Sequence, residues 1–314
     1  MGEHSFNQNR WQWHELDLTN EHQLHQLIST TKKCEKWVEN TLSKKSINLG
    51  LHIADEGKEA IWGSLVYIQD VEEKEKQHTF HFYLTNEFLI TGYLDFSLLD
   101  DISGEDLIHL LDRVETPIDG LMIILSEIIS SFLIKIGHFE QRINNLLWDV
   151  KAKNGKEILE KIADCRHELL VWKNLVVPVM EIIIALEEAF GEEIKESIQF
   201  KRTKLRIQRT KTLLREYEQE IESMVNLENV VASLRGNEIM KTLTLLTTLF
   251  TPVMAWGALW GMNFKHMPEL KWQFGYLISV ILIVINTLAL YLYLKKKGWM
   301  GDILRARKKN SFFE

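Results

Sequence analysis

Cysteine is nearly missing from this 314-residue chain: Cys34 and Cys165 are the only two. They are too few for a disulfide framework or a four-cysteine zinc site, which suits a reducing cytosol. A basic excess is missing too. Lys and Arg number 37 against 44 Asp and Glu, a net charge of −7, with a pI near 5.9. That balance argues against a general nucleic-acid binder. The amino-terminal MGEHSFNQNR has no apolar segment and does not read as a signal peptide. No phosphate-binding glycine loop appears, so ATP-driven work has no support. His22 and His25 stand at i, i+3 without the His-Glu-x-x-His arrangement of a metalloprotease, and His78 and His81 fall on opposite faces of a predicted strand. Neither pair, nor the cysteines, makes an obvious transition-metal cage.

Two long stretches lack charge altogether. Thr242 to Phe264 is 23 residues without Asp, Glu, Lys, Arg or His, and Phe274 to Leu294 is another 21. At about 1.5 Å per residue, roughly 20 apolar residues cross a hydrocarbon core, so both read as membrane spans, with buried core helices as the alternative. The mean hydropathy of −0.12 hides them in an otherwise polar chain. Lys295, Lys296, Lys297, Arg305, Arg307, Lys308 and Lys309 follow the second run, and Arg235 and Lys241 precede the first. The connector holds only Lys265 and Lys271 around Glu269. Basic residues stay inside, so both termini are expected in the cytoplasm and the connector outside. Trp256, Trp260, Trp272 and Trp299 fall near the span ends, where indoles settle at headgroups.

Ahead of the spans, the first hundred residues read as mixed α/β. A helix is expected over Leu16 to Val38, with Leu24, Leu27 and Ile28 on one side, and strands over Ala60 to Ile68, Thr79 to Leu84 and Phe88 to Tyr93. The last two form a hairpin through Thr85-Asn86. Ser103 or Asp101 is positioned to cap a helix through Leu110; Ile118 to Val150 is helical, and Pro178 interrupts before a further helix to Phe190. After Gly191 no proline occurs until Pro252 and the only glycine is Gly236, which predicts one helix from Glu192 to Met262. Its exposed apolar stripe calls for covering neighbours from the same chain or other subunits. Residues 201–215 carry seven Lys or Arg and no acid, and residues 216–228 carry five Glu. This block is either a solvated face or the source of a field along a vestibule.

The first run ends Trp260-Gly261-Met262-Asn263-Phe264 and the connector continues Lys265-His266-Met267-Pro268-Glu269-Leu270; upstream stands Asn237-Glu238-Ile239-Met240-Lys241. This resembles the CorA-type family of magnesium transporters, whose signature is Gly-Met-Asn at the outer end of the first of two C-terminal helices. Gly261, Met262 and Asn263 match the signature, and Met267, Pro268, Glu269 and Leu270 its usual continuation. The segment from Asn237 resembles the family's pore entrance, and Lys295-Lys296-Lys297-Gly298-Trp299 its basic tail. Trp260 replaces the usual Tyr, Thr251 stands where Met is common, and Met254 where Thr is common.

The chemistry suits the resemblance. Mg2+ prefers six oxygens and dehydrates reluctantly, so neutral oxygens touching its water shell admit it faster than a carboxylate cage. Asn263 offers such an oxygen, or alternatively caps the helix. One Asn cannot surround an ion, so a ring requires more than one subunit; the resemblance implies five. Asn237, Met240, Thr244, Thr248, Thr251, Ala255 and Ala258 recur at three or four residues, a stripe that suits either a pore lining or interhelical hydrogen bonds. Met240 and Leu243 match the family's apolar constriction, a gate that closes by dewetting.

The expected architecture is thus an α/β cytoplasmic part (1–103), a helical cytoplasmic part (104–191), a stalk helix (192–241), a pore-lining span (242–264), an external loop (265–273), a second span (274–294) and a basic tail (295–314). The resemblance implies a homo-oligomeric, non-enzymatic Mg2+ channel in the cell membrane, with Mg2+ as cargo and cytosolic regulator, Co2+ or Ni2+ as incidental cargo, and no prosthetic group. A ZntB-like zinc carrier of the same superfamily and a membrane-tethered scaffold are the alternatives.

Overall fold

The computed structural model describes residues 2–7, 9–17, 37–38, 49–54, 57–99, 102–152, 156–263 and 265–299. Leu24, Leu27, Ile28, His22, His25, Cys34, Asp101, Phe264 and the tail from residue 300 lie outside them. The chain forms two compact units: Met1–Leu146 with Glu160–Glu222, and Leu147–Leu159 with Ser223–Glu314.

The first unit contains a six-stranded sheet of β1 (Gly2–Phe6), β2 (Trp11–Leu16), β3 (Leu49–His52), β4 (Ala60–Gln69), β5 (Gln77–Thr85) and β6 (Phe88–Gly92), in the order β1-β2-β6-β5-β4-β3. All neighbours are antiparallel except β2 and β6. The predicted hairpin is the β5–β6 pair. Alternation in β4 buries Ile61, Leu65 and Tyr67, each worth about 1.5–3 kcal/mol for the larger apolar side chains. Leu16 corrects the sequence reading: it closes β2 instead of opening a helix. Trp11 and Trp13 decide this, because their indoles are buried and donate to the Val114 carbonyl (3.1 Å) and the Thr91 hydroxyl (2.9 Å).

Helix α1 (Gly104–Leu111) is capped by Ser103, which accepts from the Asp106 amide. Helix α2 (Pro117–Ala152) is capped by Thr116, whose hydroxyl accepts from the Asp119 amide (3.1 Å) and donates to the Asp119 carboxylate (2.9 Å). Helix α3 spans Lys156–Phe190 and continues through Pro178, against the expectation of a break. The proline removes one amide donor, a cost of about 3 kcal/mol. Leu175, Val176, Val179 and Ile182 are all buried around it, and their burial outweighs that cost.

Helix α4 runs from Ile198 to Trp260, 63 residues. It starts six residues later than expected. Gly191, at φ +71°, takes the left-handed conformation that ends α3, and Glu193–Glu196 form a 3-10 turn. Ser197 then caps α4, accepting from the Gln199 amide (3.1 Å) and donating to Asp119. Along α4 the buried positions are Phe200, Thr203, Ile207, Thr210, Leu214, Tyr217 and Ile221, alternating steps of three and four as in a coiled-coil seam. Within the first unit this seam meets α2 and α3. Phe139 and Tyr217 make an edge contact at 6.0 Å, the Thr203 hydroxyl donates to the Met122 carbonyl (3.1 Å), and Lys173 pairs with Glu218 (2.7 Å).

The second unit holds the end of α2, the start of α3, the rest of α4, a 3-10 turn at Pro268–Lys271 and α5 (Gly275–Lys296). Met224, Glu228 and Val231 continue the buried seam. Beyond Val231 α4 has little cover: Leu245 is buried, while Leu246, Phe250, Val253 and Met254 are exposed.

Candidate ion-conducting site

The C-terminal part of α4 is rich in threonine, a β-branched residue with modest helix propensity. Each hydroxyl is satisfied on the backbone of its own helix. Thr242, Thr244, Thr247, Thr248 and Thr251 donate to the carbonyls of Glu238, Met240, Leu243, Thr244 and Thr247 at 2.7–3.0 Å. Internal satisfaction of this kind is what a lipid surrounding demands. Pro252 lies inside the helix and has no amide to give the Thr248 carbonyl.

Asn237, Thr244 and Thr251 are exposed along α4, as are Met240 (60%) and Leu243 (53%). Thr248 is half-buried, beside Leu249 on the side that covers Leu245. The exposed residues include two hydrophobic side chains one turn below a run of back-bonded hydroxyls. Such a surface offers weakly polar oxygens and no charge.

Helix α4 ends at Trp260, two residues before the expected Met262. The Gly261 amide closes on the Gly257 carbonyl at 2.9 Å. A Cβ at Gly261 would stand 3.0 Å from that oxygen, so a side chain there crowds the turn. Gly261, Met262 and Asn263 are all exposed. Among the described residues the Asn263 side chain makes no hydrogen bond, to the helix end or elsewhere, so its exposed amide is uncommitted. Met267 is half-buried, Pro268 is exposed, and Glu269 and Leu270 belong to the 3-10 turn that precedes α5. Trp256 and Trp260 stack at 5.1 Å; the i, i+4 spacing carried that contact, which the sequence reading used only as an interface signal.

No group of three or more His, Cys, Asp or Glu suited to a metal occurs among the described residues. His81 is buried against the Ser64 hydroxyl (2.6 Å), and burial lowers its pKa. Cys165 is a free thiol, raised by burial, with Arg142 opposing. Neither belongs to the α4 surface.

A sheet-and-helix unit followed along the chain by two bare apolar helical stretches defines a membrane protein, and its relatives show which kind. The chain belongs to the CorA-like Mg2+ transporter family, which it matches over residues 9–296. It is 43% identical to the magnesium transport protein CorA of Bacillus subtilis over 303 residues, covering 95% of this chain and 94% of that one. The complete structure of the CorA magnesium transporter from Methanocaldococcus jannaschii shares its fold, with a TM-score of 0.64 at 21% identity over 95% of this chain and 94% of the other. The ZntB cytoplasmic domain of Vibrio parahaemolyticus also shares the fold, at TM-score 0.52 and 13% identity, over 71% of this chain and 88% of its own. Fold likeness therefore spans both branches, and the sequence identity lies with the magnesium branch. The chain is a membrane transporter of divalent cations and not an enzyme.

Proposed function

We propose that this chain forms a homo-oligomeric, channel-like pathway for Mg2+ uptake, with Co2+ or Ni2+ as secondary cargo. The observation that carries this reading is the exposed, uncommitted amide of Asn263 at the end of α4, in a Gly261-Met262-Asn263 sequence. Five such amides around an axis form a ring of neutral oxygens that touches the hydration shell of Mg2+ without stripping it. Gly261 lets the backbones approach, and Met262 flanks the ring.

In this reading residues 242–264 line the pore and residues 274–294 form the outer span, with both termini cytoplasmic. Met267, Pro268, Glu269 and Leu270 form the outer mouth, where one carboxylate per subunit concentrates cations. Asn237, Thr244, Thr248 and Thr251 line the pathway, and Met240 with Leu243 close it by excluding water. The membrane potential drives entry, since a divalent ion gains roughly 4.6 kcal/mol per 100 mV. Cytosolic Mg2+ also acts as regulator by binding one state of the cytoplasmic part more tightly.

Mg2+ flux into proteoliposomes tests the assignment. Asn263→Ala is expected to abolish flux while the protein still inserts and assembles. Near-normal flux from an assembled variant overturns the filter.

A further inference from the structure

Helix α5 ends on three consecutive lysines. Its 22 residues from Gly275 to Lys296 rise about 33 Å, against roughly 30 Å for a hydrocarbon core. A helix that starts at one face of the bilayer therefore delivers Lys295, Lys296 and Lys297 to the headgroup layer of the other.

The helix end is closed by its own backbone. The amides of Lys297, Gly298 and Trp299 donate to the carbonyls of Tyr293 (3.0 Å), Lys295 (3.1 Å) and Leu294 (3.2 Å). The last two bonds make a Schellman turn, which Gly298 permits at φ +78°, in the left-handed region. Lysines in a last turn can bond to the final carbonyls, but here backbone amides already occupy three of them. Lys295, Lys296 and Lys297 are all exposed. Among the described residues none of the three forms an ion pair or a side-chain hydrogen bond. Lys297 has only the Tyr293 ring, its ammonium 5.6 Å from the centroid. The same turn carries Trp299 back to the level of the buried Leu294 and leaves the tryptophan 44% exposed. An indole at the hydrocarbon edge combines an apolar ring with an N–H donor, a pairing that settles among headgroups.

We propose that this closed end of α5 is a binding site for anionic phospholipid headgroups, with the three lysines at the phosphate oxygens and Trp299 beside them at the hydrocarbon edge. Successive residues stand about 100° apart, so the ammonium groups span about 200° of the helix rim and meet separate headgroups. A zwitterionic lipid balances its phosphate internally, whereas an anionic one leaves a charge for lysine to neutralise, so the site selects by net charge. It rests on the reading of α5 as a membrane span.

The test places the full chain in mixed vesicles of phosphatidylglycerol and phosphatidylcholine and reads the fraction of each spin-labelled lipid whose motion the protein restricts. The anionic lipid is expected to associate about fivefold more strongly, one lysine per headgroup. The combined Lys295→Gln, Lys296→Gln and Lys297→Gln variant should lose most of that preference, and the corresponding Arg variant should keep it. Gly298→Val should lower the preference with every charge in place, because the left-handed turn excludes a β-branched residue. An unchanged preference in the Gln variant overturns the proposal. So does an unchanged preference in Gly298→Val, since charge without the closed turn then suffices. A preference lost in inorganic phosphate but kept in chloride of equal ionic strength overturns it as well, by assigning the lysines to the free anion. Failure of the span reading shows separately, as a chain that restricts neither lipid, and failure of the ion pathway as Mg2+ flux that survives Asn263→Ala.

Discussion

Among the described residues, four helices are long and apolar enough to cross a bilayer, and they divide two and two. In α2 and α3 the most apolar stretches are 61% and 56% buried; in α4 and α5 the figure is 6% for each. The difference is one of partners. Helices α2 and α3 alternate apolar and charged residues, so one stripe meets the seam of α4 and the other meets water; the exposed Arg142 of α2 pairs with the buried Glu168 of α3. The last part of α4 and all of α5 between Gly275 and Tyr293 present uncharged, mostly apolar side chains on every side. A helix that is apolar all round needs an apolar surrounding, and lipid supplies it.

Charge insertion should break this comparison most visibly. Ile124 on α2 is fully buried, so Ile124→Asp leaves an unpaired carboxyl in the bundle and should cost more than about 4 kcal/mol. Loss of the cooperative thermal transition of the full chain in detergent would show it. Ile285 on α5 is 60% exposed; Ile285→Asp should leave that transition intact and instead impair membrane insertion by about 2.5–3.5 kcal/mol. A folded Ile124→Asp protein would mean that α2 is not a core helix.

Aromatic truncation gives the next largest contrast. Phe139→Ala removes a buried ring from its contact with Tyr217 and should cost about 3–5 kcal/mol in denaturant unfolding. Phe250, 55% exposed on α4, should tolerate the same change to within about 0.5 kcal/mol in detergent.

The pH dependence should also separate the regions. Tyr217 has its pKa pushed up to about 12 by burial, with the nearby Glu140 carboxylate adding to it. Below pH 10 both folded and unfolded states hold the proton, and stability does not depend on this group. Between 10 and 12 the unfolded state loses its proton first, so stability falls as pH rises. Tyr217→Phe should abolish that decline in alkaline melts; an unchanged decline would assign it elsewhere. The smallest effect belongs to Thr244→Val, whose hydroxyl only bonds the Met240 carbonyl of its own helix. Insertion and melting should shift by no more than about 0.5 kcal/mol.

The signals that mark the candidate site are local, and so legible in the sequence. The charge-free runs, the Gly261-Met262-Asn263 sequence and the threonine stripe each occupy one segment, and the helix ends fell within a few residues of expectation. The misses were long-range. Strands β1 and β2 gain their identity from pairing that carries β2 beside β6, some seventy residues away, and from burying Trp11 and Trp13. Pro178 looked like a breaker because propensity counts the lost amide and not the four buried neighbours.

What the amino-acid order determined by itself was therefore composition along a line: where charge stops, where hydroxyls recur at helical spacing, and where a glycine closes the long helix. Tertiary structure alone decided which apolar helices are covered and which are bare. That choice depends on whether another segment of the chain presents a matching stripe. For α2 and α3 the seam of α4 does so, and for the last part of α4 and for α5 no described segment surrounds them, which leaves the bilayer to solvate what the chain does not bury.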